Sequence, residues 1–450
     1  MPTPGQDTPP PTAPPTGGAG RGPFAFLLRL RPGEGWAVLT SAAYFFFVLL
    51  SYYMLRPVRE AMGITRGYDA LPWLMTGTLL VMAGINPVYA WFVSRVPRRV
   101  FIPLTYRFFA VNMLVFLVLF QVLPETAHVG LGYAFYIWLS VFNLFVVSVF
   151  WGLTADVYSR EQGTRLFGMI AVGGTIGAMS GAKITEWCVQ GIGLAPATML
   201  AVTILPLEAA VQCVKRLLRW QADSPARSGV EHSGPASEPT SDMWSGLRAI
   251  VRSPFLLAIA LYMLLYTTTS TFLYMEQGRI VSQTFDSAAD RTAAFARMDF
   301  WTNALTLFTQ LFLTGRVMRV IGVGGTLCVL PIITFGGFAA LMIDPSFAVL
   351  AVFQVLRRGL HYAVDRPARE VLYTSLGQDE RYKSKSFIDT FVYRTGDMIG
   401  GWTPKWLGAA GIAVGWVALP ISAIWLAVGA GLGVMQSRTA ARKNRADGPR

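Results

Sequence analysis

Residues 357–402 read RRGLHYAVDRPAREVLYTSLGQDERYKSKSFIDTFVYRTGDMIGGW, the densest run of chemically active side chains in the chain. The run begins and ends in apolar segments of membrane-spanning length, yet it holds Arg357, Arg358, Asp365, Arg366, Arg369, Glu370, Arg394 and Asp397. An ionised side chain within a lipid-spanning helix costs up to about 3 kcal/mol on insertion scales, so such groups mark a path or a site for something polar. Arginine presents a planar fork that bonds phosphate or carboxylate through two N–H groups at once, which makes an organic anion the natural ligand. Tyr52, Tyr53, Tyr362 and Tyr393 offer ring faces on which a base would stack. Residues 150–181, FWGLTADVYSREQGTRLFGMIAVGGTIGAMSG, are a weaker echo: helix, charged loop, helix, with Asp156 at the turn.

Further charges lie near apolar spans. Arg56, Arg59 and Glu60, in LRPVREAMG, sit at the outer end of the first span, and Glu276 and Arg279, in MEQGRIVSQ, at the matching end of the seventh. Facing each other, they would line one mouth of a cavity; interfacial anchoring with side chains snorkelling to water explains each of them equally well. Asp156 is a gate residue or an ion-pair partner of Arg160 or Arg165, the pair being favoured. Arg357 and Arg358 lie about two turns inside the tenth span, too deep for snorkelling, which favours a substrate-facing role for at least one. Arg394 and Asp397, three apart, share a helix face and either neutralise each other or face the cavity. Arg107 and Glu208 are lone charges in the third and sixth spans, open to pairing or to transport. Gly173, Gly177 and Gly181 repeat at the spacing that lets helices pack closely.

Of the 450 residues 53% are hydrophobic and only 14% charged, with a mean hydropathy of +0.45. A soluble chain carries about 25% charged residues, so these values describe an all-α, multi-pass membrane protein. The net charge of +13 forms no basic cluster on a polar domain, which argues against nucleic acid as a partner. Cys188, Cys213 and Cys328 lie far apart without metal-ligand spacing, and three histidines leave little material for histidine-based catalysis. No phosphate-cradling GxxxxGK[ST] loop occurs, no nucleophile–base pair or metal cluster stands out, and no cofactor is implied; an enzyme is the weakest reading.

A hydrocarbon core about 30 Å thick requires ~20 apolar residues per helix. On that measure twelve spans are expected, near 36–56, 71–93, 100–122, 130–153, 166–188 and 192–213, then 254–275, 299–315, 321–343, 346–364, 387–406 and 411–434. They divide the chain into a disordered Pro/Gly-rich arm (1–30), a six-helix half (31–214), a polar linker (215–252), a second six-helix half (253–435) and a basic tail (436–450). No cleavable signal peptide is visible in the arm. Most Lys and Arg fall into cytoplasmic loops when the N-terminus is placed inside, which puts both termini in the cytoplasm and the spans in a bacterial inner membrane. The oligomeric state is open, a monomer being sufficient.

Two charged helix–loop–helix stretches in equivalent places of two six-helix halves give the layout of the major facilitator transporters. Within that layout the chain resembles the ATP/ADP translocase family of plastids and intracellular bacteria, with its free-living bacterial relatives. The family's Pro-Thr-Lys-Glu after span ten, its Lys-rich loop, its Ile-Asp and its Arg-x-Gly-Lys correspond to Pro367-Ala368-Arg369-Glu370, Lys383-Ser-Lys385, Ile388-Asp389 and Arg394-Thr-Gly396-Asp397. Phe150-Trp151, Asp156 and Arg165-Leu-Phe167-Gly168 are similar to a second family stretch, and Leu55-Arg56-Pro-Val-Arg59-Glu60 to its Leu-Arg-x-x-Lys-Asp. Glu276 with Arg279 matches more loosely. The resemblance implies a facilitator fold, nucleotide exchange or uptake, and roles for Arg59, Asp156, Glu276 and position 397 in handling substrate. Two lysines of the family are arginines here, Arg59 and Arg369, and at 397 aspartate replaces lysine, which reverses the charge.

These readings converge on a secondary transporter of an organic anion, a nucleotide or related phosphate compound, working by alternating access and ATP/ADP-type exchange or ion coupling. The expected substrate-binding residues are Arg56, Arg59, Glu60, Asp156, Glu276, Arg279, Arg358, Arg369, Glu370, Arg394 and Asp397. A proton-coupled exporter of amphipathic compounds and a non-transporting membrane partner are the rival readings.

Overall fold

The computed structural model describes residues 30–31, 34–222, 248, 250–374, 376, 384–385 and 387–446. Six helices form the first half: α1 (Gly35–Gly63), α2 (Leu71–Arg95), α3 (Arg98–Val122), α4 (Glu125–Val157), α5 (Arg160–Glu186, prolonged by the π-helical turn Trp187–Gly191) and α6 (Met199–Ala222). The second half has α7 (Pro254–Thr284), α8 (Ala288–Phe312), α9 (Thr314–Ile343) and α10, which runs Phe347–Leu360, passes through a π-helical turn at His361–Asp365 and ends as Arg366–Tyr373. A third π-helical turn, Ile388–Val392, leads into α11 (Tyr393–Ala409), and α12 (Gly415–Ala446) closes the described chain. Ten of these helices are long and apolar enough to cross a membrane on that criterion alone. The two that fall short are α8 and α11, where Asp290, Arg291, Arg297, Asp299, Arg394, Asp397 and Lys405 replace apolar side chains.

The helices outrun their apolar stretches. The first, expected to stop at 56, continues to Gly63, and the seventh, expected to stop at 275, continues to Thr284. Arg56, Arg59, Glu60, Glu276 and Arg279 are therefore inside helices rather than beyond their ends. α6 continues through residues 215–222 of the expected linker and α12 through residues 436–446 of the expected tail; residues 1–29 and 223–247 lie outside the described chain. Helix starts are set by local chemistry. Ser159 caps α5 in a reciprocal pair with Gln162, and Ser253, Ser287 and Ser346 accept the backbone N–H three residues on at the starts of α7, α8 and α10.

Glycine rows hold the first helix of each half against the fifth. A Cβ on Gly173, Gly177 or Gly181 of α5 would overlap the carbonyl oxygen of Ala42, Phe46 or Leu50 of α1, and Thr185 extends the row by donating to the Met54 carbonyl at 2.9 Å. Two rows of four-residue spacing thus lie in register, the packing that small residues permit within a membrane. In the second half Gly396 and Gly400 of α11 stand against Thr267 and Thr271 of α7 in the same way. The equivalence of α1·α5 and α7·α11 is the pseudo-symmetry of the fold in contact form.

Each half has its own apolar core, and a third cluster joins them. It combines Ala61, Ile64, Leu71 and Leu74 with Phe272, Leu273, Met275 and Ile280, at the end of the bundle where α1 terminates. At that end Arg291 donates to the Ile64 carbonyl at 3.3 Å, and Arg297 donates to Glu186 at 3.0 Å and Gln190 at 3.2 Å. The halves are thereby sealed together at the Gly63 end of α1.

Candidate functional site

Beneath that seal lies a cavity of about 290 Å³, lined by α1, α2, α4, α7, α10 and α11. Arg56, Arg59, Arg357, Arg358 and Arg394 all reach its wall, with Asp397 and a set of hydroxyl-bearing side chains that includes Tyr136, Ser270, Thr271 and Tyr274.

The arginines are held in different ways. Arg59 is bonded to Glu60, donates to Ser140 Oγ at 3.1 Å and lies over the Tyr136 ring, 4.8 Å from its centroid. Glu60, 3% exposed, accepts the Tyr274 hydroxyl at 2.6 Å, and Tyr274 meets the Tyr136 hydroxyl at 2.6 Å. This polar chain crosses from one half to the other and back. Arg56 is bonded to Asp299 of α8, and Arg358 donates to the same Oδ1 at 2.7 Å. One buried carboxylate therefore holds a guanidinium from each half.

Arg357 differs. It is 1% exposed and donates to Ser270 Oγ at 3.0 Å, and at 3.2 Å to each of Thr334 Oγ1, Thr269 Oγ1 and the Tyr266 carbonyl. Its guanidinium lies 5.3 Å from the Tyr266 ring centroid, and among the described residues no carboxylate stands within 4 Å of it. A buried cation whose hydrogen bonds all go to neutral groups leaves room for an anion, because burial without an adjacent counter-charge is costly. Across the wall Arg394 stands 3.5 Å from Asp397, whose other oxygen accepts Thr271 Oγ1 at 3.2 Å. The close α7·α11 approach at Gly396 and Gly400 makes that last bond possible.

Of the residues singled out from sequence, Arg56, Arg59, Arg358, Arg394 and Asp397 line this cavity, and Glu60 lies behind Arg59. The others lie elsewhere. Asp156 pairs with Arg98, while Arg165 forks onto Glu34 at 2.6 and 2.8 Å; the side chain of Arg160, the other expected partner, lies outside the described residues. Glu276 and Arg279 pair with each other at 2.6 Å on a separate cavity of about 620 Å³, lined also by Tyr68, Phe338 and Trp416. Arg369 is buried beside Met263 in the second half, with Asp365 and Asp389 as its electrostatic neighbours, and Glu370 bonds Lys385 at 2.6 Å. Arg107 and Glu208 bond each other at 3.0 and 3.3 Å on the outer face of the bundle. Phe150, Trp151 and Phe167 form an aromatic stack with Phe45 inside the first half, so that motif builds core rather than cavity.

Tyr362 and Tyr393 reach the cavity, whereas Tyr136, Tyr266, Tyr274, Ser270 and Asp299 were not singled out from sequence. Asp299 was hidden by the apolar measure, which started the eighth span at 299. The helix in fact starts at Ala288 and places this aspartate at mid-length. An acidic residue in the run AFARMDFWTNAL, twelve residues past the Ser287 cap, was the available signal.

No family model matches the chain. It is 22% identical over 331 residues to "ADP,ATP carrier protein 1" of Chlamydia trachomatis serovar D, a match covering 65% of this chain and 63% of the relative. It is 23% identical over 298 residues to the protein of the same name from Chlamydia muridarum, covering 58% and 56%. These matches span less than two thirds of those relatives' length. "ADP,ATP carrier protein 2" of Chlamydia pneumoniae is 21% identical over 471 residues, covering 86% of both chains. Among solved structures, a bacterial homologue of the human lysosomal transporter Spinster, inward-facing and unoccupied, superposes with a TM-score of 0.55 at 13% identity, over 91% of this chain and 98% of that one. The nucleoside transporter NupG superposes with a TM-score of 0.51 at 12% identity, over 90% and 99%. The fold is that of these two transporters, and the likeness to proteins named ADP,ATP carriers covers up to 86% of the chain.

Proposed function

We propose that this chain is a secondary transporter that carries an organic anion, a nucleotide or related phosphate compound, across a bacterial inner membrane by alternating access. The carrying observation is the cavity between the halves, into which five arginines project, one of them, among the described residues, with no carboxylate within 4 Å. Polar cavities at the interface of two repeats are where facilitators bind their substrates. The likeness to proteins named ADP,ATP carriers supports a nucleotide-class cargo and ATP/ADP-type exchange.

In this reading Arg56, Arg59, Arg357, Arg358 and Arg394 bind the anionic groups, while Glu60, Asp299 and Asp397 hold them between visits. Asp156, Glu276, Arg279, Arg369 and Glu370, outside the cavity, pair and gate rather than touch the substrate. The two halves are the moving domains, joined by the segment between α6 and α7. With both termini cytoplasmic, the sealed Gly63 end of α1 faces outward.

Thermal unfolding of the purified protein against a panel of nucleotides, other phosphates and organic acids tests the reading. A ligand at a hundredfold its Kd stabilises the folded state by about 2.7 kcal/mol. Phosphate compounds are expected to raise Tm in the wild type and to do so far less in Arg357→Gln or Arg59→Ala. A flat response to every anion at millimolar concentration contradicts the proposal. Asp397 favours a second reading, since a cavity carboxylate can carry a proton for a proton-coupled exporter of amphipathic compounds. Transport driven by a pH gradient, abolished in Asp397→Asn and indifferent to anions, would support that alternative.

A further inference from the structure

The charges around the cavity constrain the cargo more tightly than the arginines alone suggest. Arg56, Arg59, Arg357, Arg358 and Arg394 line the wall. Among the described residues the carboxylates within 4 Å of them are Glu60, against Arg56 and Arg59; Asp299, against Arg56 and Arg358; and Asp397, against Arg394. Five cations against three carboxylates leave two positive charges.

We infer that the site is built for a dianion, a single phosphate monoester group or its charge equivalent, and that Asp397 sets this limit. The inference rests on the anion-transport reading above and narrows its cargo to monophosphates in place of ATP and ADP. During alternating access the loaded site is closed to water on both sides, where net charge is penalised far more than in solution. A phosphate monoester carries about −1.5 to −2 at neutral pH and brings the loaded site to neutrality, whereas each further phosphate adds about one negative charge that nothing in the wall offsets.

Position also supports the assignment. Neighbouring residues of α7 hold the two ends of the balance: Ser270 accepts from Arg357 at 3.0 Å and Thr271 donates to Asp397 at 3.2 Å. The cation without a counter-charge and the carboxylate that limits the excess thus share one wall. The volume of about 290 Å³ suits a compact ligand, at the lower edge of the usual ~300–1,000 Å³ range for small-molecule sites.

The test is a set of dissociation constants for adenosine mono-, di- and triphosphate, inorganic phosphate and succinate, measured on the purified full-length protein. The wild type is expected to bind the monophosphate at least about fivefold more tightly than the diphosphate, with the triphosphate weaker still. Asp397→Asn, which leaves three positive charges, is expected to shift that ratio about tenfold toward the diphosphate; Arg394→Gln, which leaves one, is expected to shift it the other way. Opposite shifts distinguish charge matching from misfolding, which would weaken all ligands in both variants. Binding of inorganic phosphate or succinate in competition with the monophosphate supports recognition of charge itself. A wild type that prefers the triphosphate, or a ratio unmoved by both variants, overturns the inference while leaving anion transport standing. Failure of every anion to bind overturns both.

Discussion

Arg56 and Asp299 meet across the two halves: a guanidinium of α1 is bonded to a carboxylate of α8 that also accepts Arg358 Nη1 at 2.7 Å. Arg56 and Arg358 both line the cavity, so the contact couples the binding wall to the bridge between the halves. An anion that draws Arg56 or Arg358 toward itself is expected to loosen one of the bonds between the halves, beside those of Glu60 with Tyr274 and Arg297 with Glu186.

Removing one partner of a buried ion pair costs about 3–5 kcal/mol, because the remaining charge is left uncompensated. Asp299→Asn leaves Arg358 without its carboxylate and Arg56 with Glu60 alone, and is expected to lower Tm more than Arg56→Gln, which leaves Asp299 with Arg358. A thermal-unfolding cycle of the single and double variants measures the coupling; additive effects would contradict the bridge.

The glycine rows predict a position-dependent response to one methyl group. Gly177→Ala and Gly400→Ala force a Cβ into the facing helix and are expected to destabilise by about 1–3 kcal/mol. Gly168→Ala, with open space around its Cβ position, is expected to be neutral or stabilising by up to about 1 kcal/mol. Chemical or thermal unfolding of the three variants separates the cases.

Two buried arginines of the same half are expected to behave differently. Arg357→Gln removes a cation from the cavity wall and is expected to weaken anion binding about tenfold or more, the worth of one charge-assisted hydrogen bond. Arg369→Met acts outside the cavity and is expected to change stability with little effect on affinity. Ligand titrations alongside melting curves would show whether the two effects separate.

At the opposite end of the bundle Glu34 receives both Nη groups of Arg165, together with Gln162 and the Arg31 backbone N–H. The Arg165 hydrogen bonds lower its pKa from 4.5 to about 2. The folded-state value lies below the unfolded one, so the stabilisation is fully present above pH 4.5 and is lost as pH falls through about 2. Glu34→Gln is expected to melt lower than wild type at neutral pH, with the gap closing between pH 4.5 and 2. A constant gap across that window would show that the pair contributes nothing through charge.

Much of this was legible in the sequence, because apolar runs, glycine spacing and arginines in lipid-length segments each follow from the bilayer as solvent. The α5 glycines, Arg358, Arg394 and Asp397 were identified on those grounds. What was not legible depended on partners. Asp299 reads as a helix end until Arg56 and Arg358 meet on it, and Arg369 reads as a ligand-binding cation until its helix turns it into the core beside Met263. Helix ends were read short because α1 and α7 continue past their apolar runs; in α1 the added charges find internal partners, Arg59 with Glu60 and Glu60 with Tyr274.

The central claim is that the arginine cavity carries a phosphate-bearing anion through the membrane. Its most direct test is uptake of radiolabelled adenosine monophosphate and diphosphate into proteoliposomes loaded with unlabelled substrate. The account predicts uptake above that of protein-free vesicles, strongly reduced by Arg357→Gln and retained in Arg369→Met. Equal uptake by wild type and Arg357→Gln, or no uptake of either nucleotide by a folded wild type, would contradict it.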